Sequence, residues 1–347
     1  MKNVKALVLF SGGLDSILAA KVLLDQGLIV GAISFKSNFY DTQKAKAGAL
    51  NVGIQLIEKD ISWDMFDLVK NPPSGHGKNM NPCIDCHAMM MRSAAEFLRS
   101  GEKPEGYDFL ATGEVLGQRP FSQNKSALLR VAKLAGVEVL RPLSARLLPE
   151  TEMERAGLID RQRLHDISGR GRHRQMELAK FFKINMYPSP GGGCLLTDPA
   201  YAKRLKSLFN YRADAAPDDA DLMKCGRLIW FSIKNELGNE EKTALLIGRN
   251  KEENDALEKL VKSGDIVLKL IEMAGPTGLL RMDAGNKGIK WQKKEVPVSI
   301  PASNCEPDQE LLSVNGIEDL ILSAASLTGY YSVKARGRNM NILLQKI

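Results

Sequence analysis

A short stretch near the start of the chain leaves few folds open to it: Leu7-Val8-Leu9-Phe10-Ser11-Gly12-Gly13-Leu14-Asp15-Ser16-Ile17. An apolar, β-prone run enters this stretch, two glycines and two serines occupy its centre, and an amphipathic pattern at Ile17, Ala20, Leu23 and Leu24 leaves it. The order reads as strand, tight loop, helix. Such a loop turns several backbone N–H groups and the positive end of a helix toward one spot, and both attract a phosphate or pyrophosphate anion. Glycine lets the backbone approach the anion, and Ser11 and Ser16 bring hydroxyl donors. A Walker-type loop would place a Lys on the phosphates, whereas here Asp15 stands in the loop. A carboxylate aimed at phosphate calls for a divalent cation between the two, so Mg²⁺ is expected at Asp15. Read without any ligand, the same residues make a well-formed helix N-terminus.

The pattern continues as alternating strands and helices: Leu28–Phe35 a strand, Thr42–Asn51 a helix, Ile54–Ile57 a strand, Cys83–Arg99 a helix, and Asp108–Thr112 and Val137–Leu140 strands. This alternation predicts a parallel sheet with right-handed crossovers and helices on both faces, an α/β doubly wound fold whose ligands sit at the carboxyl ends of the strands. Asn71–Lys78 and Ser189–Cys194 read as loops, and Glu150–Phe182 as Arg-rich helices. Within the last, Arg161-Gln162-Arg163-Leu164-His165 and Arg170-Gly171-Arg172-His173-Arg174 suggest a basic rim by the site, or an ordinary Arg-rich helical surface. With 347 residues, two domains are expected. Ala, Asp and Pro dominate at Asn210–Asp221, which sets the expected division: a first domain over 1–208, a linker over 209–221 and a second, α+β domain over 222–347.

Five cysteines, an odd number in a chain with no signal pattern and no long apolar run, argue against a disulfide framework. A cytoplasmic protein with no membrane partner is expected. Cys83-Ile84-Asp85-Cys86 opens a helix, and Cys194 follows a glycine triplet far downstream. Two thiolates at this spacing can chelate one metal, and a glycine-rich loop lets a third approach from elsewhere. The helix N-terminus is expected to lower the thiol pKa and favour the thiolate. Four readings stay open: a structural Zn²⁺ with His87 or His76 as fourth ligand, a persulfide pair with donor and resolving thiols, an iron–sulfur cluster on Cys83, Cys86 and Cys194 with one iron open to hydrosulfide, or inert buried thiols. Of these, a 4Fe-4S cluster is expected, since an open iron position suits sulfur delivery. Cys225 and Cys305 are expected to be small apolar core residues.

Ser-Gly-Gly-Leu-Asp-Ser resembles the PP-loop of the ATP pyrophosphatase superfamily, which has the adenine nucleotide alpha hydrolase-like fold. The resemblance implies that ATP is cleaved between its α- and β-phosphates and AMP transferred to a substrate, with Ser11, Gly12, Gly13, Leu14, Asp15 and Ser16 around the nucleotide. Asp108-Phe109-Leu110-Ala111-Thr112-Gly113-Glu114-Val115-Leu116-Gly117-Gln118, followed by Ser122-Gln123-Asn124 and Arg141-Pro142-Leu143, resembles landmarks of the ThiI-type tRNA sulfurtransferases that make 4-thiouridine. Gly113, Glu114 and Gln118 are then expected near the nucleotide, Glu114 and Gln118 as polar contacts or as structural residues. The three-cysteine pattern is instead similar to that of cluster-dependent tRNA thiolation enzymes. Neither a THUMP domain to capture tRNA nor a rhodanese-like domain to carry a persulfide is recognisable, so both functions are expected to come from elsewhere.

One replacement lies in the second domain. Ile247-Gly248-Arg249-Asn250 with Asn254-Asp255, and Ala324-Ala325-Ser326-Leu327-Thr328-Gly329-Tyr330-Tyr331, resemble the NFACT-R domain, which is regarded as RNA-binding. The basic residues Arg249, Lys287, Lys290, Lys293, Lys294, Lys334, Arg336 and Arg338, interleaved with Trp291, Tyr330 and Tyr331, are able to neutralise phosphates and stack bases, or else form a solvated face over core aromatics. The net charge of +7 suits an acidic partner. The expectation is an ATP-dependent tRNA uridine sulfurtransferase that adenylates a carbonyl oxygen through Asp15-bound Mg²⁺ and delivers sulfur from Cys83, Cys86 and Cys194. Its partners are tRNA and a sulfur donor, sulfide or a sulfurtransferase, with a homodimer allowed. The rivals are another adenylating PP-loop enzyme acting on a small molecule and a noncatalytic RNA-binding factor.

Overall fold

The computed structural model describes residues 4–99, 106–188, 194–234, 240–282, 289, 291–302 and 311–347. The chain divides into two units, Met1–Pro199 and Ala200–Ile347, each with its own sheet. Ser189–Gly193, Lys287, Lys290 and Cys305 lie outside the described residues.

The first unit runs β1 (Lys5–Leu9), α1 (Leu14–Asp25), β2 (Ile29–Lys36), α2 (Gln43–Val52), β3 (Gln55–Asp60), α3 (Ser62–Lys70), α4 (Cys83–Arg99), β4 (Phe109–Thr112), α5 (Lys125–Ala135) and β5 (Val139–Leu140). The strand order is β3-β2-β1-β4-β5 and every pair is parallel. Successive side chains on a strand point to opposite faces. Accordingly, Ala6 and Val8 of β1 join a core with Ile17, Leu18 and Ala45 from α1 and α2, while Leu7 joins another with Ala88 and Met91 of α4 and Val131 of α5. Helices therefore cover both faces, as the alternating pattern predicts. The strand order departs from β1 in both directions, so the loops leaving β1 and β4 diverge at their carboxyl ends, and that is where an open α/β sheet offers a crevice.

The expected helices over Glu150–Phe182 shrink to α6 (Glu152–Arg155), a 3₁₀ turn at Arg161–Arg163 and α7 (His173–Phe181). Left-handed Gly157 and Gly169 interrupt the backbone. The arginines bind across loops instead of along a helix: Arg161 to Glu154 and the Leu148 carbonyl, Arg163 to Asp25.

The division also falls earlier than the expected linker over 209–221. That stretch holds the end of α8 (Pro199–Tyr211) and all but the last residue of α9 (Pro217–Leu222). Its Ala-Asp-Pro composition serves helix initiation: Pro217 takes the first helical turn and Asp219 accepts from the Ala216 N–H at 2.9 Å. Buried Asp219 then pairs with Arg281 and Lys262, fastening α9 within the second unit.

That unit continues with β6 (Arg227–Lys234), β7 (Glu240–Ile247), α10 (Lys251–Lys259), β8 (Ile266–Leu270), β9 (Gly278–Arg281), β10 (Lys293–Ser299), β11 (Leu311–Asn315), α11 (Gly316–Tyr330) and β12 (Asn339–Lys346). The sheet order is β10-β12-β8-β9-β7-β6-β11, antiparallel except for β11 beside β6. Leu320, Ile321, Ala324 and Ala325 of α11 share a core with Phe231, Leu245, Leu268 and Leu280. The α+β expectation matches this unit. Strand β10 escaped the sequence reading because it is an edge: Lys293, Lys294 and Glu295 are exposed, and Pro297 is tolerated there. Among the described residues no helix is long and apolar enough to cross a membrane.

Candidate active site

Helix α1 begins without a side-chain cap, because its N-cap is Gly13. The first-turn N–H groups of a helix have no intrahelical partner, so this terminus is open to an anion. The loop before it is held tight from two sides. Gly12 adopts a left-handed φ of +72°, and a Cβ there would lie 2.0 Å from the Lys44 carbonyl oxygen of α2. Opposite, Gly113 at the end of β4 packs against the first turn of α1, where a Cβ would meet the Ser16 nitrogen at 2.5 Å. The serine hydroxyls close the loop internally: Ser16 Oγ donates to the Gly13 carbonyl at 2.8 Å, and Ser11 Oγ accepts from the Gly13 N–H at 3.3 Å.

Asp15 lies in that first turn. Its Oδ2 accepts from Gln118 Nε2 at 2.9 Å, while its Oδ1 is buried with no hydrogen-bond partner. A buried, unpartnered carboxylate oxygen is costly, and a divalent cation is the chemistry that would satisfy it. The residues present thus fit Mg²⁺ at Asp15.

Glu114 has the partners of a structural residue, the second of its two expected roles. It is buried, with Oε1 hydrogen-bonded to His87 Nδ1 at 2.8 Å and Oε2 to Arg141 Nε at 3.0 Å. Burial pushes its carboxyl upward, but the His87 hydrogen bond and the charges of Arg141 and His87 outweigh that and hold it below the usual glutamate value. Both oxygens are engaged, so Glu114 fastens α4 and the Arg141 turn to the end of β4. Arg141, which the sequence marked only as a landmark, is the buried partner that makes this possible.

The segments that carry Cys83 and Cys194 are joined by hydrogen bonds that no spacing rule reveals. Met80 N–H donates to the Leu196 carbonyl at 3.1 Å and Asn79 Nδ2 to the Thr197 carbonyl at 2.7 Å. These bonds pin the segment after Cys194 to the segment before Cys83. Cys83 Sγ donates to Asn81 Oδ1 at 2.8 Å, and Cys86, one turn on, is buried beside the Tyr40 hydroxyl at 4.0 Å. Asp85 accepts from Ser74 N and Oγ at 2.8 and 2.6 Å and so holds the Asn71–Lys78 loop against α4.

The expectation of lowered thiol pKa values at a helix N-terminus is reversed. Burial pushes Cys86 up to about 12, with the neighbouring Cys194 adding to the rise. Burial likewise raises Cys83 and Cys194, opposed by the charge of Arg119. Desolvation of a thiolate outweighs the partial charge of a helix end. The proposed fourth zinc ligands are engaged elsewhere, His76 with the Val69 carbonyl and His87 with Glu114. Among the described residues no group of three or more His, Cys, Asp or Glu is arranged to hold a metal ion. The thiols are chemically apt donors for a thiophilic metal, but they do not form a closed ligand set.

The Arg-rich segment spends much of its charge internally. Arg161 pairs with Glu154, Arg163 with Asp25, and Arg146 and Arg174 with Asp166. In the second unit Arg249 pairs with Glu253, Asn250 caps α10, and Asn254 accepts from the Thr277 N–H at 3.0 Å, so the Gly-Arg-Asn pattern builds a helix start. Tyr330 is a core residue covered by Arg336, and Tyr331 is covered by Arg227, each guanidinium 4.4 Å from the ring centre. Lys293 and Lys294 stay exposed. Cys225 is half-buried, with its Sγ directed to the Asp221 carbonyl.

Residues 2–146 match the family model described as Thiamine biosynthesis protein (ThiI). A probable tRNA sulfurtransferase of Methanosarcina mazei is 29% identical over 151 residues, covering 41% of this chain and 35% of that protein. The tRNA-specific 2-thiouridylase MnmA of Treponema denticola is 32% identical over 126 residues, covering 31% of this chain and 32% of that protein. The chain thus spans about a third of the length of these curated relatives. Among solved structures, a 4-thiouridine synthetase–RNA complex with bound ATP is 18% identical with a TM-score of 0.34, covering 64% of this chain and 52% of that one. NMN synthetase from Francisella tularensis is 14% identical with a TM-score of 0.25, covering 55% and 90%.

Proposed function

We infer, from the match of residues 2–146 to the ThiI family model, that this protein is an ATP-dependent tRNA uridine sulfurtransferase. The observation that carries the reading is the link between its two chemistries. Gln118 hydrogen-bonds Asp15 of the anion loop at 2.9 Å, and Ser122, from the same loop, lowers the Cys83 thiol pKa against the rise that burial imposes.

ATP is the substrate that suits the uncapped start of α1. Gly12, Gly13, Leu14 and Ser16 would cradle its pyrophosphate end, and Asp15 would hold Mg²⁺, which neutralises charge developing on the phosphates. Attack by a uridine carbonyl oxygen on the α-phosphorus expels pyrophosphate and leaves the base adenylated, so AMP becomes the leaving group. Sulfur then enters at that carbon from the cysteine site. A 4Fe-4S cluster on Cys83, Cys86 and Cys194 would supply an open iron position for hydrosulfide.

A second reading is supported by the lack of a closed ligand set among the described residues. A persulfide on one cysteine attacks the adenylated carbon and AMP departs. A second cysteine then displaces the thiolated base, leaving a disulfide that a reductant must reset. The second unit is proposed to bind RNA, with exposed Lys293 and Lys294 on its edge strand.

The test is full-length protein with unmodified tRNA, ATP, Mg²⁺ and a sulfur donor, with nucleosides read by mass spectrometry. Thiouridine should form. Asp15→Ala should abolish pyrophosphate release and leave RNA binding nearly intact, and Cys83→Ser, Cys86→Ser and Cys194→Ser should lose thiolation but not ATP binding. Iron, charge-transfer absorption and direct use of sulfide identify the cluster. Full thiolation by iron-free protein given a persulfide donor identifies the second reading. No thiolated nucleoside with either donor refutes the function.

A further inference from the structure

The loop Gly117–Asn124 is stitched shut. Gly117 N–H donates to the Gln123 carbonyl at 2.7 Å, Gln123 N–H to the Arg119 carbonyl at 2.9 Å, and Asn124 Nδ2 to the Pro120 carbonyl at 2.8 Å. The Asn124 side chain also caps α5 by accepting from the Ala127 N–H at 2.9 Å, so the loop is anchored to a helix as well as to itself. Along this turn Gln118 reaches Asp15 at 2.9 Å, and the charge of Arg119 opposes the rise that burial imposes on the Cys83 and Cys194 thiols. On the same turn stands Phe121, 86% exposed.

A single exposed ring needs no explanation by itself. This one is held by a closed loop between the anion site and the thiols, two residues from an exposed guanidinium that makes no ion pair with a carboxylate among the described residues. An aromatic face beside an unpaired cation is the combination that holds a single-stranded nucleotide, the ring stacking on the base and the cation meeting the phosphate. We propose that Phe121 is the platform on which the target pyrimidine stacks, with Arg119 neutralising a phosphate of the same RNA strand. The proposal rests on the thiolation reading and adds how the base is presented. A base inside a helix is out of reach of both ATP and sulfur. It must leave its stack, and a new stacking partner offsets the cost of leaving.

The experiment uses the full chain and unmodified tRNA. Phe121→Ala should lower kcat/KM for tRNA thiolation by about tenfold to a hundredfold, the range expected for losing one base–aromatic stack. Phe121→Leu should fall as far although it stays apolar, and Phe121→Trp should stay within about threefold of wild type, because any large π-face serves. ATP binding without RNA and the thermal midpoint should not change, since the ring is exposed. The direct readout is fluorescence of Phe121→Trp during tRNA titration, taken as the difference from wild type, whose tryptophans are Trp63, Trp230 and Trp291. Stacking quenches the new indole.

Quenching together with the loss in Phe121→Ala supports the platform. An unquenched indole, or Phe121→Ala within about twofold of wild type, overturns it. Loss of thiolation with a protein sulfur donor but not with free sulfide also overturns it, because Phe121 would then dock the donor. If wild type forms no thiouridine the functional reading fails, and the titration still decides whether Phe121 stacks on RNA.

Discussion

Removing the guanidinium of Arg141 should unfasten the first unit more than any surface change. Arg141 is 7% exposed and Glu114 6%, and their hydrogen bond is 3.0 Å. Arg141→Met keeps most of the side-chain volume but leaves a buried carboxylate with only the His87 contact, which is 2.8 Å long. Breaking a buried ion pair from one side costs about 3–5 kcal/mol, and because His87 remains, the low end, about 3 kcal/mol, is expected. Converting the acid as well, in Arg141→Met with Glu114→Gln, removes the stranded charge and should return about half of that loss.

The pH dependence follows from the direction of the Glu114 shift. Its folded pKa is depressed, so its contribution is fully present above the unfolded glutamate value, about 4.3, and is lost as pH falls through the folded value. The stability gap between wild type and Arg141→Met should therefore be widest near neutral pH and close in acid. Urea unfolding followed by circular dichroism measures it. In a Trp63→Phe background, fluorescence of Trp230 and Trp291, both in the second unit, should report a transition that does not move. A loss under about 1 kcal/mol, or a gap that stays constant down to strongly acidic pH, would refute the claim that this network holds α4 and the end of β4 together.

Two further outcomes are expected. Gly113→Ala places a methyl 2.5 Å from the Ser16 backbone nitrogen and 2.6 Å from the Asp15 carbonyl, neither of which can swing aside; overpacking of about 1–3 kcal/mol and loss of pyrophosphate release should appear together, and wild-type turnover would show that the close approach is not needed. Because burial raises all three thiols of the cysteine site, iodoacetamide should label them slowly at neutral pH and faster as pH rises, with Cys86 last; mass spectrometry that finds Cys86 labelled first would contradict the desolvation account.

The alternation of apolar strands and amphipathic helices made the first sheet legible, because periodicity is a local property and a parallel strand buried on both faces must be apolar throughout. The same holds for the loop at Ser11–Ser16, whose glycines answer to local backbone geometry. Relations between distant parts of the chain were not legible. The segment after Cys194 is tied to the segment before Cys83 by the Met80 N–H, a group that almost every residue carries, and by the Asn79 side-chain amide, which belongs to no motif. Sequence leaves Glu114 open between a ligand contact and a structural role, because one charged letter looks alike whether it faces a substrate or a buried partner; its partners Arg141 and His87 are set by the fold. The stretch Asn210–Asp221 read as a linker from its small and acidic residues, yet those acids cap α9 and pair with Arg281 and Lys262. The thiol pKa values also turned on packing: a helix start acts within one turn and is visible in sequence, whereas desolvation depends on what the whole fold lays over the sulfur, and for Cys86 that effect is the larger.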